Sequence, residues 1–356
     1  MKIILATSMS GLGGTEHASF RLGSLLKKQG HQVILASSDG PLMPDAKALG
    51  IQWYDIDFYQ GGALGYLKSS TALLKMLKKE KPDIVHCQMA RVVPACAMAA
   101  KLVSPKTKVF YHSRGLEPET YPKIAKLFDK LGVYIIGNCK HEQQKLIRYG
   151  FPANRLSYTY NALPKVDKVP EKIQKDYIML GTLSRLDKLR DVAHTLHIFK
   201  QLLDKNLPVR LQVAGIGEES ANLKALAKEL AIDDHVTFLG GVRDLYSYFK
   251  ETDILLSTPN FPGDRSAGVG NNTLEAGLYH TPVVCYDLAG ISEIVLNGQN
   301  SYCIPFHDVP AFIAAVETLV TDADLRRRMG NALNKHVTTL CSDEAIYRTT
   351  MAAYNM

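Results

Sequence analysis

The chain has 356 residues, 46% of them hydrophobic and 22% charged, with a net charge of +7. These values exclude a disordered, collagen-like or disulfide-scaffold protein and suit two globular domains. The charge is uneven: residues 1–165 hold 23 Lys and Arg against 11 Asp and Glu, a net +12, and residues 166–356 a net −5. A front half this basic suits an anionic neighbour or a merely solvated lysine-rich surface. The opening residues hold four apolar side chains in a row, Ile3 to Ala6, too few for a signal-peptide core. Nothing approaches the roughly 18 apolar residues of a membrane span. Cys87, Cys96, Cys139, Cys285, Cys303 and Cys341 form no CxxC pair, so they read as buried thiols of a cytoplasmic protein.

Short apolar runs alternate with helix-length segments. Lys2–Ala6 is a strand, followed by a glycine turn and a helical pattern through Leu22, Leu25 and Leu26 that Gly30 ends. Strands follow at His31–Ala36, Asp83–His86, Lys108–Tyr111 and Val133–Ile136. The polar stretch Asn161–Asp176, with Pro164 and Pro170, reads as a linker. The alternation restarts at Tyr177–Leu180, Arg210–Val213, His235–Leu239, Asp253–Leu256 and Thr281–Cys285, and Asn331–Met356 is helical. This spacing predicts an α/β protein of two Rossmann-like, doubly wound domains.

Three segments carry chemistry. Ser10–Glu16, after the first strand, lets main-chain amides and a helix end approach an anion. A dinucleotide fingerprint needs glycine where Glu16 stands, so Asp39 is a poor argument for NAD. In Thr182–Asp191, Arg185 and Arg190 flank a strand-to-helix turn, either as a solvated basic loop or converging on one diphosphate. In Gly268–Gly277, the glycines with Asn271 or Asn272 as N-cap mark a helix start. Glu275, a turn later, is either a ribose ligand or a carboxylate offsetting the helix dipole.

Ser184–Asp191, Leu274-Glu275-Ala276, His280–Val284, Val213–Gly217 and Phe238–Val242 together resemble the second half of the family 4 glycosyltransferases of GT-B fold. Gly13–Glu16, Gly30–Val33, Pro82–His86, Tyr111-His112 and Tyr160-Asn161 resemble their first half. The resemblance implies an acceptor-binding domain over 1–164, a linker over 165–176 and a nucleotide-sugar domain over 177–335. Across the cleft that the two domains face, a C-terminal helix, 336–356, returns to the first.

It further implies a retaining enzyme that moves a hexose-type sugar, as hexose or hexosamine, from a UDP-sugar to a lipid-linked, lipopolysaccharide or other surface-glycan acceptor. His112 lies by the reacting sugar, and Arg185, Arg190 and the helix end at Gly270, Asn271, Asn272 and Thr273 meet the diphosphate. Gly13 and Gly14 close over it, Gly215 belongs to the neighbouring loop, Val242 ends the loop that holds the base, and Glu275 holds the ribose. Two positions depart from the pattern. Arg190 replaces a lysine, and Ala267 replaces the first glutamate of an E-x7-E motif, with Asp264, Arg265 or Asn271 as substitutes. Asp55-Ile-Asp57 spells a metal-binding D-x-D, but the alternating run around it reads as two carboxylates on one strand face. With arginines to supply positive charge, no metal or other cofactor is expected.

The basic amphipathic stretches Leu67–Lys81 and Tyr121–Leu131 suggest a further partner, an anionic membrane surface, on the inner face of the cytoplasmic membrane. No nucleic-acid partner is expected, and the sequence leaves the oligomeric state open. Ala267 also motivates an alternative, a non-catalytic nucleotide- or glycan-binding scaffold. A nucleotide-sugar epimerase of the same architecture is a third reading.

Overall fold

The computed structural model describes residues 1–8, 11, 13–59, 62–166, 168–261, 263–265 and 268–356. Ser10 of the glycine turn, Asp167 of the linker and Ala267 lie outside the described residues. The chain forms two compact units, one of residues 1–163, 264–268 and 341–356, the other of 164–263 and 269–340.

Seven strands build the first unit: β1 Lys2–Ala6, β2 Gln32–Ser37, β3 Gln52–Asp55, β4 Ile84–Cys87, β5 Lys108–Ser113, β6 Tyr134–Gly137 and β7 Leu156–Tyr158. They pair in parallel in the order β3-β2-β1-β4-β5-β6-β7. Between them run α1 Gly14–Lys28, α2 Met43–Ala48, α3 Gly62–Glu80, α4 Val93–Val103, α5 Tyr121–Leu131 and α6 Lys140–Arg148. Helices on both faces explain why β1 is apolar at consecutive positions, with Ile3, Ile4, Leu5 and Ala6 all fully buried.

The second unit has β8 Ile178–Leu183, β9 Val209–Ala214, β10 Val236–Gly240, β11 Ile254–Ser257, β12 Val283–Tyr286 and β13 Tyr302–Ile304. These are also parallel, in the order β10-β9-β8-β11-β12-β13. Its helices are α7 Val192–Asp204, α8 Ser220–Glu229, α9 Leu245–Glu251, α10 Asn271–Leu278, α11 Val309–Thr321 and α12 Ala323–Cys341. In each sheet the strand order reverses beside the first strand, between β1 and β4 and between β8 and β11. Ligands of doubly wound sheets bind outside the strand ends at such points.

Ser342 separates α12 from α13, Asp343–Tyr354, and its hydroxyl caps the new helix by accepting from Ala345 N at 3.1 Å. Helix α13 belongs to the first unit. There Tyr354 is buried, with its ring 5.1 Å from that of Phe110, and its hydroxyl hydrogen-bonds His86 Nδ1 at 2.8 Å.

Two expectations change. Strand β3 ends at Asp55, and Asp57 lies beyond it in a turn, where it accepts from Tyr59 N at 2.8 Å. The two carboxylates therefore share no strand face. Leu67 and Leu127, apolar residues of the amphipathic stretches Leu67–Lys81 and Tyr121–Leu131, are 63% and 41% exposed rather than packed. The buried face of α3 is set instead by Leu73, Met76 and Leu77, and that of α5 by Tyr121, Ala125 and Phe128. The edge strands β7 and β13 have three residues each, too few to show a periodicity. All six cysteines are free and buried. Among the described residues no helix is long and apolar enough to cross a membrane, and no three His, Cys, Asp or Glu side chains gather as for a metal ion.

Candidate functional site

In the second unit the site begins with main-chain geometry. Ser184 N donates to Ala214 O at 3.0 Å, Leu186 N to Ile216 O at 3.0 Å, and Gly215 N to Gly240 O at 2.7 Å. Glu219 N returns to Leu186 O at 3.0 Å. The loops after β8, β9 and β10 are thus joined edge to edge. Gly215 has φ of +151°, and a Cβ there would stand 1.8 Å from Ser184 O. Only glycine permits this approach.

The loop after β8 is also tied to the loop after β11, at the reversal of strand order. Asn260 N donates to Leu189 O at 2.9 Å, and the Thr258 hydroxyl to Asp191 O at 3.1 Å. Asp191 takes a left-handed conformation (φ +46°) and caps α7, accepting from His194 N at 3.2 Å. Arg185 is 65% exposed and pairs with Asp187 at 2.9 Å. The Arg190 guanidinium lies over the Phe261 ring, 5.0 Å from its centroid, within cation–π range. Burial lowers the Arg190 pKa, and the charge of Arg185 lowers it further. Two guanidiniums on one rigid loop, each in the other's field, suit a doubly charged anion.

Gly270 itself is the N-cap of α10, so Asn271 and Asn272 are its first helical residues rather than its cap. Thr273 is fully buried, Glu275 is 7% exposed, and Val242 is half-buried after β10. Two of the three proposed substitutes for the first glutamate of E-x7-E pair with other side chains. Asp264 lies 3.6 Å from Arg148, and Arg265 pairs with Glu117 at 2.7 Å, both on the first unit.

The first unit presents side chains instead. Gly13 caps α1 and Gly14 opens it, and a Cβ at Gly13 would stand 2.6 Å from the Glu16 carboxylate. His112, near the end of β5, is 2% exposed and stacks on fully buried His86, with ring centroids 5.3 Å apart and planes 6° off parallel. Burial first, then the charge of Arg114, pushes the His86 pKa down to about 3 and that of His112 well below the usual histidine range. Both rings are therefore neutral near pH 7. Arg114 Nε and Nη2 donate to Gln88 Oε1 at 3.2 and 2.6 Å, and Nη1 donates to Asn161 Oδ1 at 2.9 Å.

Motif reading does not single out Gln88, Arg114 or Phe261. Gln88 and Arg114 each lie one residue past a parallel strand, a position from which they are findable. Phe261 stands 71 residues after Arg190, a pairing no local pattern encodes.

Residues 12–164 match the family model described as Glycosyltransferase Family 4, and residues 165–336 the model described as Glycosyl transferases group 1. The chain belongs to this glycosyltransferase family, and its two parallel sheets are those of the GT-B fold. It is 24% identical over 312 residues to the capsular polysaccharide biosynthesis glycosyltransferase CapM of Staphylococcus aureus, covering 81% of this chain and 80% of that protein. It is 21% identical over 355 residues to the N-acetyl-α-D-glucosaminyl L-malate synthase of Bacillus anthracis, covering 93% and 91%. Anabaena HepE, solved in complex with UDP, superposes over the whole of both chains with a TM-score of 0.83 at 16% identity. HepE has also been solved with UDP-glucose.

Proposed function

We propose that this glycosyltransferase moves a hexose-type sugar from a UDP-sugar to a surface-glycan or lipid-linked acceptor, with retention and without metal. The observation that carries the reading is the joined loop platform of the second unit, with Arg185 and Arg190 beside the reversal of strand order. A diphosphate leaving group gains negative charge as the bond from phosphate oxygen to sugar C1 breaks. Preoriented guanidiniums and the α10 N-terminus stabilise that charge without solvent reorganisation. On the same sugar face the acceptor oxygen bonds to C1, and its proton passes to the departing phosphate oxygen. Glu275 holds the ribose, the segment ending at Val242 the base, and His112 the sugar. HepE's complexes with UDP and UDP-glucose and CapM's part in capsular polysaccharide biosynthesis support the donor and acceptor classes.

Incubation with a panel of nucleotide sugars in water tests this reading. One UDP-sugar is expected to release nucleotide slowly and yield a sugar of unchanged anomeric configuration by NMR. An inverted product overturns retention. Binding without turnover favours the scaffold reading that Ala267 motivates. Turnover is expected to persist in excess EDTA, and a complete loss that magnesium restores overturns the metal-free mechanism.

Contact with an anionic leaflet is the finer part of the proposal. Lys123, Lys126 and Lys130 are exposed on α5, and each basic residue near such a surface contributes about 1 kcal/mol. Salt-sensitive co-sedimentation with anionic vesicles is expected, lost when the three lysines are changed to Glu. Equal binding to neutral vesicles rejects it.

A further inference from the structure

Arg114 is a mostly buried cation that its hydrogen-bond partners do not neutralise. Its hydrogen-bond partners are the carbonyl oxygens of two neutral amides, Gln88 and Asn161. Among the described residues no carboxylate lies within ion-pair distance of it. Glu16 acts on it only at longer range, and burial lowers its pKa to about 10. A guanidinium has five N–H donors. Three are engaged, which leaves one N–H on each terminal nitrogen, the number a carboxylate or phosphate takes in a two-point contact.

The groups around it are unusual in the same sense. Both ring nitrogens of His112, Nε2 of His86 and Nε2 of Gln88 are buried and have no hydrogen-bond partner among the described residues. Those three residues are at most 2% exposed. Leaving such an atom unpaired is costly, so packing alone does not explain four of them in one place. Neutral imidazole offers one donor and one acceptor, and the Gln88 amide offers donors. That is the chemistry of sugar hydroxyls placed beside an anion. The cluster sits at the ends of β4 and β5, with His86 and His112 inside the strands and Gln88 and Arg114 one residue past them, next to the reversal of strand order in the first sheet.

We propose that Arg114, held by Gln88 and Asn161 and flanked by the His86–His112 stack, binds the acid group of an acidic sugar, a carboxylate or a phosphate. As the acceptor's site, it rests on the glycosyltransferase reading above; as an acidic-sugar site, it stands without it. The neutral His86 ring and the Gln88 amide take the hydroxyls, and the guanidinium distinguishes an acidic sugar from its neutral counterpart.

The test is a ligand-observed NMR titration of the full chain with D-glucuronate, D-glucose 6-phosphate and D-glucose at low salt. UDP is titrated into the same samples. At least one acidic sugar is expected to bind tenfold or more tightly than glucose, and the two arms tell carboxylate from phosphate. Arg114→Gln abolishes the preference. Arg114→Lys, which keeps the charge without the planar fork, retains part of it and covers the case in which the glutamine variant does not fold. UDP affinity stays unchanged in both variants. The proposal is overturned if the wild-type chain shows no preference, or if a folded Arg114→Gln chain keeps it. A tenfold loss of UDP affinity in Arg114→Gln also overturns it, because the cation then serves the donor. Failure of UDP to bind the wild-type chain counts against the donor reading and leaves the acidic-sugar preference standing.

Discussion

At the working edge of the second sheet, the loops after β8, β9 and β10 are fastened by main-chain hydrogen bonds, and glycines permit their contact. At the same edge of the first sheet the structure consists of side chains: stacked histidines, a cation held by amides, and a buried ion pair. In that pair Lys145 and Glu142, both fully buried, meet at 2.7 Å. Glu142 also accepts from the Ser113 hydroxyl at 2.5 Å, and Lys145 donates to Asp264 O at 3.0 Å. A main-chain platform tolerates sequence change while its glycines remain. A side-chain platform changes with every substitution, which suits the acceptor-binding role proposed for the first unit.

The sharpest way to break the comparison is Lys145→Met. It strands the Glu142 carboxylate in the interior and is expected to cost about 3–5 kcal/mol in urea denaturation. Replacing Glu142 by Gln as well recovers part of the loss. A cost below about 1 kcal/mol means the pair does not hold the first unit's edge together.

Arg185→Ala leaves the main-chain platform intact. Turnover is expected to fall by roughly 10²–10³-fold, the effect of removing one donor that stabilises transition-state charge. The circular dichroism spectrum is unchanged, because Arg185 is largely exposed. Activity near the wild-type level removes Arg185 from the diphosphate site.

Gly215→Ala and Gly240→Ala form a matched pair. The first drives a methyl group into Ser184 O and is expected to cost about 3 kcal/mol together with nucleotide binding. The second meets nothing within 4 Å, so it carries only the strain of its φ of +68°, about 1 kcal/mol. Equal costs for the two reject the interlocked-loop account.

A further test concerns pH. His86 and His112 have folded-state pKa values depressed below the unfolded value near 6.5, so the unfolded chain binds more protons below that pH. Their contribution is complete above pH 6.5 and declines as the pH falls toward 3 for His86, by roughly 1.4 kcal/mol per unit for each histidine. Thermal melts at pH 7 and pH 5 measure the slope, and His86→Gln is expected to reduce it by about half. An unchanged slope in that variant shows that His86 is not the group responsible.

The second unit was more legible in the sequence than the first. Ser184–Asp191, Val213–Gly217 and Gly268–Gly277 are local motifs, because a loop that offers its main chain to a phosphate needs glycines and arginines within a few residues of each other. Arg114 needs Gln88 from the previous strand and Asn161 from 47 positions later, and no spacing in the chain announces such a triangle. The phase of the helices was also hidden in part. Leu67 and Leu127 fit an apolar stripe by sequence but face outward, since packing against neighbouring helices selects the buried face.

By itself the sequence determined the alternation of strands and helices, the two-domain organisation and the family. Those follow from runs of apolar residues and from glycine turns, which act over one or two turns of chain. Tertiary structure alone decided that Phe261 lies under Arg190, that residues 264–268 join the first unit, and that Ser342 sends α13 back beneath β5 to place Tyr354 against His86. Each of these joins residues dozens to hundreds of positions apart. Such a contact is fixed only when the sheets bring their strand ends together, and only then is the burial that makes it favourable available.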